Sequence, residues 1–420
     1  MFNTISMIGL GYIGLPTATL FASRKKYVIG VDVNEFAVNT INQGKVHIVE
    51  PDLDMLVQAA VAAGYLRATT IPEPADAFLI AVPTPFTDGH KPDLSYIQAA
   101  AQAIAPVLKK DNLVILESTS PVGTTEKLAQ WLADARPDLT FPQEAGEAAD
   151  VQIAYCPERV LPGRVVHELV DNDRVIGGMT RAANYMAATL YKTFVRGDLI
   201  ATNARTAEMC KLTENSFRDV NIAFANELSI ICDKLDINVW ELIQLANRHP
   251  RVSILQPGAG VGGHCIAVDP WFIVDTAPEE ARIIRTAREV NDHKPGWVVE
   301  KVKAAIADAL ADNPGQCMAD VKVACLGLAF KQDIDDLRES PALEIARQIA
   351  KLGCQVVAVE PNIEILPEKL CQTNLTLSPL NDALAIADVV CVLVKHKPFV
   401  AAVDDIRRHH QSIDAVGLFS

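Results

Sequence analysis

No run of lysine and arginine in this 420-residue chain exceeds three, at Arg24-Lys25-Lys26, and the formal net charge is −14. Nucleic-acid binders carry a basic face, so no nucleic-acid partner is expected. An anionic small ligand stays open, held by local arginines and helix N-termini. The nine cysteines include no C-x-x-C pair, and their number is odd. That argues against a disulfide framework and a structural zinc, and for a reducing compartment; no metal is expected. No apolar run reaches the ~18 residues of a membrane span, so no membrane insertion is expected. The N-terminus lacks a basic n-region and a cleavage pattern, so no signal peptide is expected and the cytoplasm is the expected location. No internal repeat with a period of roughly 20–50 residues is present.

What is present is ordinary globular composition, 50% hydrophobic and 21% charged. At ~150 residues per domain the length suggests two or three domains. The chain opens with a short apolar run, Thr4–Ile8, followed at once by Gly9-Leu10-Gly11-Tyr12-Ile13-Gly14. A helical pattern follows from Leu15 to about Arg24, then the apolar run Tyr27–Val31, closed by Asp32. A bare G-x-G-x-x-G is weak, but strand, fingerprint, helix, strand and acid in this order read as a dinucleotide fold. Gly9 allows the tight turn, Gly11 lets a pyrophosphate reach the helix N-terminus, and Gly14 allows close helix–strand packing. Asp32 accepts from both ribose hydroxyls and repels a 2′-phosphate, so NAD is favoured over NADP.

Apolar strands are expected at Ala77–Val82 and Leu113–Glu117, as in a parallel sheet covered on both faces. They run into Pro83-Thr84-Pro85 and Ser118-Thr119-Ser120. Ligands of open α/β sheets lie beyond the carboxyl ends of the strands, so Thr84 and Thr119 either contact cofactor or water, or shape turns and caps. Glu158 and Arg159 follow another strand pattern and belong to the same side. Val175–Gly178 reads as one more strand and turn.

Residues 203 to 247 contain neither proline nor glycine. Their apolar spacing predicts a long helix from about Thr206 to Leu235, suited to bridging domains or forming a subunit interface. Lys211, Asn215 and Arg218 share one of its faces, either as solvated polar residues or as donors facing a cleft. After Asn247-Arg248-His249-Pro250-Arg251 comes the loop Gly258–Gly263, with four glycines in six residues, then His264 and Cys265. Glycine bares the backbone to a ligand, so Cys265 is a candidate nucleophile, assisted by Asp269; the alternative is a small buried hydrophobe. A helix from Glu279 to about Ala311 is expected, with a break or kink before Pro295.

The last third repeats the βαβ pattern without the glycine fingerprint. Val321–Leu328, Val356–Val359 and Val389–Val394 read as strands, and Ala342–Leu352 as a helix capped by Ser340. Lys331 and Arg338 either reach phosphates or are solvated loop charge.

These parts resemble one family, the nucleotide-sugar 6-dehydrogenases of the UDP-glucose/UDP-N-acetylmannosamine group. The likeness covers nearly the whole chain. It rests on Gly9–Gly14, Val82-Pro83-Thr84-Pro85, Ser118-Thr119, Pro157-Glu158-Arg159, Lys211 with Asn215, Gly262-Gly263-His264-Cys265, Phe330-Lys331 and Asp335–Pro341. The UDP-glucose enzymes typically carry lysine just before the aspartate that follows the cysteine, where this chain has Val268. His264 and Val268 therefore point to the N-acetylhexosamine branch. Ala267 and Gln332 replace prolines of the usual pattern, with little consequence expected.

The resemblance implies an α/β chain: two Rossmann-like parallel-sheet domains joined by a central long-helix region. Its expected bounds are 1–200 for the NAD-binding domain, 201–300 for the helical domain with the cysteine loop, and 301–420 for the UDP-sugar domain. It implies an NAD-dependent four-electron oxidation of UDP-N-acetyl-D-mannosamine at C6 to the uronate, with UDP-N-acetylglucosamine or UDP-glucose as alternative substrates. Cys265 traps the aldehyde as a thiohemiacetal that becomes a thioester. Lys211, with a water held by Asp269 or Thr119, takes the alcohol proton; Asp269 or Glu158 assists hydrolysis, and Asn215 belongs to the catalytic set. Gly9, Gly11, Tyr12, Ile13, Gly14, Asp32, Thr84, Thr119 and Arg338 are expected at the cofactor. Arg159, Val160, Lys211, Asn215, Arg218, His249, Arg251, Gly262, Lys331 and Arg338 are expected at the UDP-sugar. A homodimer or higher homo-oligomer, with Arg251 reaching across the dimer, is also implied. Two other readings stay open: a two-electron hydroxyacid dehydrogenase using Lys211 and Asn215, and a non-catalytic nucleotide-binding regulator.

Overall fold

The computed structural model describes residues 2–48, 50–87, 89–160, 163–263, 265–366, 374–409 and 411–420. The chain divides into two compact units, Met1–Glu214 and Asn215–Ser420.

In the first unit the strands of the main sheet are β1 (Thr4–Ile8), β2 (Tyr27–Val31), β3 (Leu66–Thr69), β4 (Ala77–Ile80), β5 (Asn112–Leu116), β6 (Val151–Tyr155), β7 (Arg174–Gly178) and β8 (Leu199–Asn203). They form one sheet in the order β8-β7-β6-β5-β4-β1-β2-β3. The stretch from β3 to β6 has doubly wound order, with its switch point between β1 and β4. Helix α1 (Gly14–Ser23) buries Leu15, Ala18, Leu20 and Phe21. Strands β4 and β5 are buried along their whole length. That suits their unbroken apolar sequence, because hydrophobic clusters cover both faces of the sheet. One joint departs from the all-parallel expectation: β6 and β7 pair antiparallel, through Ala154 with Gly178 and Tyr155 with Gly177. The connection between these strands carries the helix Val165–Asp171.

Helix α2 (Ala204–Lys234) is 31 residues long and continues from the first unit into the second. The second unit adds α3 (Val239–Ala246), α4 (Asp269–Thr276) and α5 (Arg282–Asp312). Of the break or kink expected before Pro295, the break does not occur, since α5 runs through that residue. Its first half is anchored instead. Asn291 and Lys294 are buried. Asn291 donates to Asp219 at 2.8 Å, and Lys294 donates to Ser229 at 2.6 Å. Those side-chain bonds hold the turn that proline deprives of a backbone bond.

The second sheet comprises β9 (Lys322–Leu326), β10 (Gln355–Val359), β11 (Leu375–Leu377), β12 (Val389–Val392) and β13 (Ser412–Asp414), in the order β11-β10-β9-β12-β13, all parallel. Helix α6 (Pro341–Lys351) starts where Ser340 Oγ accepts from Leu343 N at 3.3 Å. Apolar clusters again cover both faces. Among the described residues no helix is long and apolar enough to cross a membrane, and no cluster of metal-ligating side chains occurs.

Candidate active site

In the first unit the expected cofactor residues converge at the carboxyl ends of β1, β2, β4 and β5. Gly9 N donates to Val31 O at 2.8 Å, closing the turn after β1. A Cβ on Gly14 would sit 1.8 Å from Gly9 O, so only glycine fits there. A Cβ on Gly11 would meet nothing within 4 Å, so the backbone is open where a pyrophosphate must approach. Tyr12 is exposed beside it and Ile13 is half-buried. Asp32 accepts from Leu10 N at 2.8 Å and Asn34 N at 2.9 Å, and stays half-exposed. Thr84 donates its hydroxyl to the Thr119 carbonyl, tying together the exits of β4 and β5. This frame fits a dinucleotide: an open backbone at a helix N-terminus and an accessible acid after β2.

Glu158 is buried and pairs with buried Arg174. The Arg174 guanidinium lies 4.4 Å from the centroid of the Tyr191 ring, and Tyr191 donates to Glu117 at 2.5 Å. Burial raises the Glu158 carboxyl, with Arg174 and then Lys211 pulling the other way. Burial, then the Glu158 charge, pushes Glu117 up to about 8. Sequence reasoning found Glu158 but missed Arg174, Glu117 and Tyr191. A charged residue opening an otherwise apolar strand was the one available signal. Lys211 is buried on α2. Arg159 pairs with Glu214 at 2.7 and 3.0 Å. Val160 is half-buried.

In the second unit Asn215 donates to Asp269 at 2.5 Å. Asp269 N in turn donates to Cys265 O at 2.8 Å, so the acid sits one turn after the exposed cysteine and opens α4. Helix N-termini favour developing negative charge. The glycine loop is held at its start by Asn226, whose Oδ1 accepts from Gly258 N at 2.9 Å. At its end Gly263 adopts φ +83°, and a Cβ there would lie 2.9 Å from the Phe330 ring. Gly262 is equally confined, with Glu339 O 2.3 Å from where a Cβ would stand. Lys331 and Phe330 line a cavity of about 560 Å³ together with Trp240, Gln256, Gly258 and Lys395. Arg338 is exposed and paired with Asp336 at 2.6 Å. Arg218, His249 and Arg251 are exposed. His264 lies outside the described residues.

Three family models match the chain in sequence order: the NAD binding domain of the UDP-glucose/GDP-mannose dehydrogenase family over residues 3–195, its central domain over 205–293, and its UDP binding domain over 324–418. The chain belongs to the UDP-glucose/GDP-mannose dehydrogenase family. It is an NAD-dependent dehydrogenase, and the accessible acid after β2 agrees with that cofactor. Among relatives of this dehydrogenase, the UDP-N-acetyl-D-mannosamine dehydrogenase of Escherichia coli K12 is 64% identical, with 100% of this chain and 99% of the relative covered. The NDP-N-acetyl-D-galactosaminuronic acid dehydrogenase of Ralstonia nicotianae is 62% identical, with 100% and 97% covered. The solved UDP-D-ManNAc dehydrogenase of Pyrococcus horikoshii aligns with a TM-score of 0.87 at 37% identity, covering 99% of this chain and 96% of that one.

Proposed function

We propose that the chain oxidises C6 of UDP-N-acetyl-D-mannosamine to the carboxylate of UDP-N-acetyl-D-mannosaminuronate. The observation that carries the chemistry is the constellation of Asn215, Asp269 and Cys265, a hydrogen-bonded acid one turn beyond an exposed thiol. A two-electron alcohol oxidation has no use for that thiol. The substrate reading rests on the 64% identical relatives of that name and on Val268 in place of lysine. A second hexosamine stays in view, because the 62% identical relative is named for an N-acetylgalactosaminuronic acid. UDP-N-acetylglucosamine and UDP-glucose are the further alternatives.

NAD supplies the hydride acceptor for each of two oxidations. The chain's residues do the rest. Lys211, with a water held by Asp269 or Thr119, takes the C6 hydroxyl proton as the first hydride leaves, giving the aldehyde. The Cys265 sulfur adds to that aldehyde and its proton passes to the new oxygen, giving a thiohemiacetal. Its carbon keeps one hydrogen, which leaves as the second hydride while the oxygen loses its proton, giving a thioester. Water activated by Asp269 or Glu158 hydrolyses the thioester, releasing the carboxylate and returning the thiol. One alcohol and one water become one carboxylate, with two NADH and three protons. Asn215 orients Asp269, and Lys331, Arg338, Arg159, Arg218, His249, Arg251, Val160 and Gly262 hold the UDP-sugar.

Residues 1–200 then serve NAD, 201–300 carry the cysteine loop and dimer contacts, and 301–420 serve the UDP-sugar. The chain works in the cytoplasm as a homodimer or higher homo-oligomer, an assembly supported by exposed Phe217, Phe224 and Ile231 at seven-residue intervals along α2.

The deciding experiment measures NADH formed per sugar across UDP-N-acetyl-D-mannosamine, UDP-N-acetylglucosamine and UDP-glucose. Two NADH per UDP-N-acetyl-D-mannosamine are expected, and Cys265→Ala should fail to complete the second oxidation. Wild-type release of aldehyde after one NADH, or an unaffected Cys265→Ala, would overturn the reading.

A further inference from the structure

The two sheets repeat one arrangement. Gly9 N donates to Val31 O at 2.8 Å, and Gly327 N donates to Val359 O at 2.8 Å. Each second strand ends in an acid, Asp32 after β2 and Glu360 after β10. Each acid accepts from the turn after the first strand: Asp32 from Leu10 N at 2.8 Å, Glu360 from Leu328 N at 2.8 Å and Ala329 N at 3.0 Å. In a dinucleotide fold this acid holds the ribose hydroxyls.

The units differ at the exit of the strand beside the switch point. After β4 the first unit has Val82-Pro83-Thr84; after β12 the second has Val394-Lys395-His396. His396 is completely buried. Its Nδ1 accepts from Asp333 N at 2.9 Å, so Nε2 carries the proton and donates to Glu360 Oε2 at 3.0 Å. Asn362 donates to the other oxygen at 2.9 Å through its amide and 3.1 Å through its backbone. Glu360 thus receives five donors and is 4% exposed, which leaves no acceptor for a ribose diol. The same bonds hold the segment Leu328–Asp333 at both ends, and that segment presents Phe330 and Lys331 to the cavity of about 560 Å³.

We propose that His396 is a positioning and specificity-determining residue. It fills the ribose seat of the second crevice, barring a dinucleotide there, and clamps the Phe330–Lys331 segment in the conformation that receives the UDP-sugar. This rests on the reading of that cavity as the UDP-sugar site.

Calorimetry on the full chain, with UDP and with NAD, tests it alongside steady-state KM values. Wild type should bind one NAD per chain and bind UDP. His396→Ala should weaken UDP and raise the sugar-nucleotide KM by about tenfold or more, the cost of losing a hydrogen bond to a charged group. The KM for NAD should not move. His396→Gln keeps a donor for Glu360 and His396→Asn keeps an acceptor for Asp333, so each should recover part of the loss. If the alanine variant does not fold, these two carry the test, and each should raise the sugar-nucleotide KM alone. Two NAD per wild-type chain, unchanged UDP binding in folded variants, or equal losses for UDP and NAD would overturn the proposal. Wild type that binds NAD but not UDP would instead defeat the substrate reading of the cavity, and the proposal with it.

Discussion

Asn215 donates its side-chain amide to the Asp269 carboxylate at 2.5 Å. Asparagine is the apt donor, since it fixes the acid without neutralising it. Asn215→Ala removes a hydrogen bond to a charged group worth roughly 1.5–3 kcal/mol. If Asp269 acts in the transition state, kcat should fall roughly 10- to 100-fold. Stopped-flow and steady-state NADH formation check this, with a much smaller change expected in the KM for NAD.

Glu117 shapes the pH dependence of stability. Its carboxyl stands at about 8 in the folded chain against an ordinary 4.5, because of burial first and the Glu158 charge second. Between those values the unfolded chain releases a proton that the folded chain keeps. The stabilising contribution is complete below the ordinary value and is lost as pH rises through the folded one. Glu117→Gln does not titrate, so its Tm should gain on wild type steadily from pH 5 to pH 8. Thermal unfolding across that window checks it; a constant difference would refute it.

Lys294 acts in the opposite sense. Burial draws it from 10.5 down to about 7, with Asp233 opposing. Between those values the unfolded chain holds a proton that the folded chain lacks, so the lysine's contribution grows as pH rises from 7 to 10. Lys294→Met should therefore compare best with wild type at pH 7 and lose ground toward pH 10. Parallel melts at these two pH values decide it.

The exposed face of α2 makes a prediction about assembly. Phe224→Asp places a charge amid Phe217 and Ile231, and losing one buried aromatic costs roughly 2 kcal/mol. The dimer dissociation constant should rise at least about 30-fold. Light scattering over a dilution series checks this, and a wild-type monomer at all concentrations would remove the dimer reading.

The elements with strong local signals were legible in the sequence. Thr4–Ile8 and Tyr27–Val31 are strands as expected, and Ser340 caps α6. The expected long helix from Thr206 to Leu235 is found at Ala204–Lys234. What escaped depends on chain segments meeting at a distance. Nothing near Arg174 announces that it will neutralise Glu158, and nothing near His396 announces Glu360, 36 residues away. The antiparallel joint of β6 and β7 escaped for a related reason: apolar strands look alike in either direction. Pro295 suggested a break that does not occur, because the bonds that rescue its turn come from Asp219 and Ser229 on α2. Around the glycine loop, residue types pointed to Cys265 and Asp269, but only the folded chain joins Asp269 to Asn215.

Helix α2 has a consequence for how this chain can change over time. It carries Lys211, Asn215, Asp219 and Asn226 on one unbroken stretch without glycine or proline. Each residue added to an α-helix turns everything beyond it by ~100°. One inserted codon between Lys211 and Asn215 would swing Asn215 away from Asp269, or shift Lys211 by the same angle. It would do so without altering a single functional side chain. The segment from 211 to 226 therefore behaves like a reading frame: substitutions are judged one at a time, whereas a change of length garbles the message downstream. Length variation among descendants should collect elsewhere, as in the exposed turn at 313–316 after α5.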